Sequence, residues 1–164
     1  MPEDRLHYEE IADGLTWETG GITVTESHIL AFAGLSGDFY DLHVDDDYAR
    51  ALGFPGKVAH GLLGLALADG LKNRSSVRLA AVVSLGWRWN FTGPILPGDR
   101  ISAVIRVIAR RPTRRPERGI VTLEFDLRNQ RGGDGAAGGE RHDGALAERL
   151  NGARRAAFPP LRAV

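Results

Sequence analysis

With 21 basic and 21 acidic side chains in 164 residues, the chain has no net charge to draw it to nucleic acid or an anionic membrane. The length suits one domain with a sizeable core, and the absence of cysteine removes disulfides, thiolate catalysis and Cys-ligated zinc. A polar start, Met1-Pro2-Glu3-Asp4-Arg5, is unlike a secretory or organellar signal, and the longest apolar run, around residues 61–68, is far shorter than the ~20 residues of a membrane span. The expectation is a cytoplasmic protein with neither nucleic acid nor membrane as partner.

Residues 15–24 read as extended chain around Gly20-Gly21, rich in β-branched side chains. Thr25 is a candidate N-cap with Glu26 in the first turn, and Ile29, Phe32 and Ala33 recur at helical spacing. That helix runs to about Leu35 and ends at Gly37. A second short helix fits Asp45 to Leu52, with Asp45 as cap, Asp46 and Asp47 at its positive end and Gly53 as stop. A third, His60 to Leu71, carries Leu62, Leu63, Leu65, Ala66, Leu67 and Ala68. So little polar face predicts burial on most sides.

Only a sheet wrapped around that helix could bury it in so short a chain. Residues 80–91 supply Val82, Val83, Leu85, Trp87, Trp89 and Phe91. After a Pro94/Pro97-Gly98 turn, residues 100–108 place Ile101, Ala103, Ile105 and Val107 on one face. Residues 120–128 alternate Val121, Leu123, Phe125 and Leu127 with Thr122, Glu124, Asp126 and Arg128. Residues 110–119 join two of these strands as a hairpin. The fold class is α+β, a curled antiparallel sheet around a central apolar helix, over residues 1–131. Residues 132–164, rich in Gly, Ala and Arg, show no sustained period and read as a mobile tail with at most a weak helix near Gly144 to Arg155.

Chemistry concentrates in Ser36-Gly37-Asp38-Phe39-Tyr40-Asp41-Leu42-His43, which holds a carboxylate and an imidazole five residues apart between two helices. Such a pair suits proton transfer near neutral pH. His60-Gly61 opens the apolar helix, whose free N–H groups can stabilise an oxygen that gains negative charge. Asp38 and His43 are therefore the catalytic candidates. Gly61, Tyr40, Asp41 and His60 are candidates for holding the substrate or its oxygen, with His60 the more structural of these. Each has a blander reading: Asp38 as a turn cap, His43 as a buried imidazole satisfied by a carbonyl, Gly61 as a close-packing position. Asp45, Asp46 and Asp47 suit capping better than a cation site. Arg110, Arg111, Arg114 and Arg115 suit a solvated hairpin tip better than a phosphate site, and Trp87 and Trp89 suit core or dimer packing.

The Gly37-Asp38-x4-His43 loop, the flanking helices, His60-Gly61 and Pro94-Ile95-x2-Gly98-Asp99 together resemble the MaoC-like dehydratases. These include the R-specific enoyl-CoA hydratases of the hot-dog fold, and the resemblance spans residues 10–131. It implies a homodimer, or an assembly of dimers, binding acyl-CoA thioesters in a tunnel at or near the dimer interface. It implies reversible hydration of a 2-enoyl thioester to the (R)-3-hydroxyacyl thioester by Asp38 and His43, with the Gly61 N–H on the thioester oxygen and no cofactor or metal. Two departures stand out. Tyr40-Asp41 replaces the Asn-Pro of many relatives, and the tail lacks the pattern of the strand that usually follows the Asn-Gln-x-Gly turn. Rival readings are a hot-dog thioesterase, which would not need the Asp/His pair, and a non-catalytic acyl-thioester-binding subunit.

Overall fold

The computed structural model of the chain describes residues 5–132 and 141–148. Its strands are β1 (Thr16–Glu18), β2 (Ile22–Thr23), β3 (Ala81–Trp89), β4 (Arg100–Pro112), β5 (Arg118–Asn129) and β6 (Arg141–Glu148). Its helices are α1 (Glu26–Ser36), α2 (Asp41–Val44), α3 (Asp46–Ala51) and α4 (Gly61–Asn73). The strands form one six-stranded antiparallel sheet in the order β1-β4-β5-β6-β3, with β2 also on β4.

Period-two alternation in β4 and β5 decides what this sheet buries. Ile101, Ala103, Ile105 and Val107 face inward with Val121, Leu123, Phe125 and Leu127, and the register sets Ile105 opposite Phe125 and Val107 opposite Leu123. Ile29 and Ala33 of α1 and Leu63, Ala68 and Leu71 of α4 complete the core. Full burial of each large apolar side chain contributes about 1.5–3 kcal/mol. Gly64 lets α4 approach closely: a Cβ there would lie 2.7 Å from Ile95 Cδ1.

Three expectations need correction. First, α4 is covered on one side rather than on most: Leu63, Gly64, Ala68 and Leu71 are buried, but Leu62 is 60% exposed. Second, the segment between α1 and α3 contains an extra single turn of helix, α2. Third, residues 141–148 form a strand rather than a weak helix, pairing with both β5 and β3. The sheet thus runs past residue 131, while the remainder of the expected tail lies outside the described residues. Strands β4 and β5 also extend to Pro112 and from Arg118, shortening the hairpin connection. Among the described residues no helix is long and apolar enough to cross a membrane.

Candidate active site

Four segments meet at the start of α4. Thr25 caps α1 through a side-chain oxygen that accepts from His28 N, and Gly37 ends the helix at φ 79°, its N–H donating to Ala33 O at 2.8 Å. A residue with a Cβ would be strained there. The chain then turns sharply: Asp38 N donates to Ser36 Oγ at 3.2 Å, and Tyr40 N donates to Asp38 Oδ1 at 3.3 Å. Asp38 does serve the turn, and its carboxylate stays exposed. The turn leads into α2, which carries His43.

Backbone bonds stitch α2 to the strand-like approach to α4. Val58 N donates to Leu42 O at 3.1 Å, and Ala59 N donates to Ile95 O at 2.8 Å. His43 Nδ1 lies 2.6 Å from Val58 O. A carbonyl can only accept, so Nδ1 carries the proton and the neutral ring keeps its lone pair on Nε2. His60, the N-cap of α4, is 2% exposed and its Nε2 lies 2.9 Å from Asp38 O, so by the same argument Nε2 is the donor. The His43 and His60 rings stack with centroids 3.8 Å apart at 28°, and Phe32 lies against His60 with ring centroids 5.0 Å apart. Asp38, His43 and His60 each offer an atom within 4.8 Å of the other two. That spacing would also suit a small cation, but His60 has only Nδ1 left to offer one, since Nε2 is protonated.

Beside this cluster lies a cavity of about 220 Å³. Its wall is largely apolar and includes Leu42, Val58, Phe91, Ile95 and Leu127, together with His43 and Gly61. Gly61 is the first residue of α4, where N–H groups lack partners within the helix. Phe91 packs so closely over it that a Cβ at position 61 would collide with the ring. Asp38, Tyr40, Asp41 and His60 do not line the cavity. The arrangement offers an imidazole with a free lone pair and a helix start on the wall of an apolar chamber, with the Asp38 carboxylate near the imidazole but outside that wall.

A family model described as MaoC like domain matches residues 14–128. The chain belongs to this MaoC-like family. It is 31% identical over 111 residues to the (R)-specific enoyl-CoA hydratase of Rhodospirillum rubrum, covering 67% of this chain and 76% of that one. It is 34% identical over 122 residues to Protein MaoC of Klebsiella aerogenes, covering 71% of this chain and 36% of that longer relative. Among solved structures it superposes on the MaoC-like dehydratase from Rhodospirillum rubrum with a TM-score of 0.79 at 30% identity, covering 89% and 99% of the two chains. A Mycobacterium tuberculosis protein with a double hotdogfold matches at TM-score 0.78 and 19% identity, covering 99% of this chain and 50% of that one. The fold is therefore a hot dog, as the sequence predicts.

In this MaoC-like chain the residues beside the Asp/His pair have work of their own. Tyr40 lies edge-on to His43, ring centroids 6.0 Å apart, and its hydroxyl is 3.0 Å from that of Tyr48. The hydrogen bond to Tyr40 and the closeness of that second phenol hold the Tyr48 phenol above its ordinary pKa. Asp45 caps α3 by accepting from Asp47 N and Tyr48 N. Asp46 accepts from Lys57 N at 2.9 Å, and that bond, assisted by the Lys57 ammonium, holds its carboxyl below the usual range. The aspartate run thus caps and ties. Arg110 is not part of a free hairpin tip: it donates to Asp13 at 2.9 Å and to Tyr8 O at 3.2 Å. Trp87 packs against Phe125, ring centroids 5.3 Å apart, and Trp89 joins the cavity wall. The sequence reading missed Leu42, Val58 and Leu127 as wall residues, since ordinary apolar side chains carry no local signal of facing a void.

Proposed function

We propose that the chain catalyses reversible hydration of 2-enoyl-CoA thioesters to (R)-3-hydroxyacyl-CoA thioesters. The observation that carries this reading is the closeness of Asp38 and His43 to one another, beside an apolar cavity whose wall holds His43 and Gly61. Water is held between the Asp38 carboxylate and the His43 Nε2 lone pair. One of these groups takes a proton as the oxygen attacks C3, and a proton is delivered to C2. Charge that develops on the thioester oxygen meets the Gly61 N–H at the positive end of α4, where one such donor contributes about 2.7–4 kcal/mol to barrier lowering. The apolar chamber takes the acyl chain. No step requires a metal or cofactor.

The relatives named as hydratases and dehydratases support this chemistry at the level of the family. The working unit is proposed to be a homodimer. Incubation with crotonyl-CoA, following loss of the enoyl-thioester absorbance alongside free-thiol release, tests the reading. Absorbance is expected to fall with no thiol produced. Thiol release would instead make the protein a thioesterase, and binding without either signal would make it a non-catalytic subunit.

A further inference from the structure

His60 contacts the Asp38 backbone, the His43 ring and the peptide of Gly61 while lining none of the cavity. Its Nε2–H donates to the Asp38 carbonyl at 2.9 Å, its ring stacks on His43 at 3.8 Å, and its own peptide bond leads directly into Gly61. Its carbonyl also accepts from Leu63 N at 3.0 Å and Gly64 N at 3.2 Å, which fixes the first turn of α4. Phe32 packs against the ring, and with 2% exposure there is no room for it to swing away. The cost of burying a polar imbalance here is real, for His60 Nδ1 has no hydrogen-bond partner among the described residues. An apolar ring would fill the same slot without that cost.

We propose that His60 is a positioning residue, locking the Asp38 turn and the His43 ring at a fixed distance from the α4 N-terminus. This rests on the hydratase reading above. Without the Nε2–H bond, Asp38 is anchored, among the described residues, by exposed turn hydrogen bonds to Ser36 and Tyr40. Its carboxylate then drifts relative to His43, while the apolar chamber that binds the acyl chain is untouched. The predicted signature is therefore a loss in kcat rather than in KM.

The test compares His60→Phe, which keeps the stacked ring and removes the donor, with His60→Gln, which restores an N–H donor. With crotonyl-CoA, His60→Phe is expected to lower kcat by ~10–10²-fold with KM within about twofold and an unchanged melting midpoint, and His60→Gln to recover part of the loss. Wild-type kcat in His60→Phe, a loss that merely tracks unfolded protein, or a rise in KM alone would overturn the proposal. A readout independent of turnover is the NMR spectrum. The wild-type His60 ring should carry its proton on Nε2, and His60→Phe should move the Asp38 carbonyl and His43 ring signals. If the wild type fails to hydrate crotonyl-CoA, the functional reading falls and these signals alone judge the positioning role. Unmoved signals, or a proton on Nδ1, would sink it.

Discussion

Two imidazoles meet at this site with opposite nitrogens protonated, and the backbone carbonyl opposite each ring dictates which. His43 gives Nδ1–H to Val58 O and keeps Nε2 bare. That lone pair, not the ring as such, makes it a base. The Asp38 carboxylate can also accept from the same water through its oxygen lone pairs, but protonating it quenches a negative charge whereas protonating His43 creates a positive one, so the two groups are not interchangeable. Asp38→Asn and His43→Ala are each expected to lower crotonyl-CoA hydration at least ~10²-fold while far-UV dichroism stays native. Either variant turning over at the wild-type rate would remove that residue from the chemistry. The Asp-x4-His spacing was readable in the chain because both residues sit in one short turn. The His43–His60 stack was not, because the two residues lie in separate segments that only the folded chain brings together, through bonds such as Val58 N to Leu42 O and His60 Nε2 to Asp38 O. Nor does the sequence pattern reveal α2: four residues are too few to show a helical period.

Elements are held around the site by buried polar clamps as much as by apolar packing. Asp99, 2% exposed, accepts from Leu96 N at 3.0 Å and from Arg131 at 2.7 Å, while its own carbonyl accepts from Val24 N at 2.7 Å. One side chain thus joins the loop bearing Ile95 to the end of β5, and the same residue's backbone joins it to the approach to α1. Asp99→Ala would strand the Leu96 N–H and cost about 3 kcal/mol, since hydrogen bonds to a charged group are worth more than neutral ones. A urea midpoint showing a loss under about 1 kcal/mol would mean that water takes over the bond. The Pro-x3-Gly-Asp spelling gave away the turn but not the clamp, whose partners come from three elements. Strands β4 and β5 were plain from their alternation, because each buries one face. Strand β6 was hidden: its Gly- and Ala-rich residues carry no alternation, and it forms between β5 and β3, where pairing on both sides outweighs weak β propensity.

At the scale of the whole molecule, the sheet order leaves β3 at one end, hydrogen-bonded to β6 alone among the described strands. An end strand with apolar side chains in water is a template for pairing. Here Leu85 on β3 is 53% exposed and Phe91 just beyond it is 61% exposed, with Leu62 of α4 also uncovered. In the homodimer proposed above, a second copy offering the same edge would cover this apolar surface. A stable pairing of this sort buries about 1,600 Å² in total. The edge also adjoins the site, for Trp89 and Phe91 continue from β3 into the cavity wall and Phe91 covers Gly61. Dimer formation would therefore fix the ring that sets the shape of the chamber, tying assembly to substrate binding. Leu85→Lys places a charge where the partner strand must lie, which should weaken self-association at least ~10²-fold, since burying an unpaired ammonium costs several kcal/mol. Sedimentation equilibrium should give twice the chain mass for the wild type and the single-chain mass for the variant, with a raised KM for crotonyl-CoA in the variant because Phe91 loses its support. A wild-type protein that sediments as one chain at micromolar concentration would refute the interface, and the exposed Leu85 and Phe91 would then need another cover.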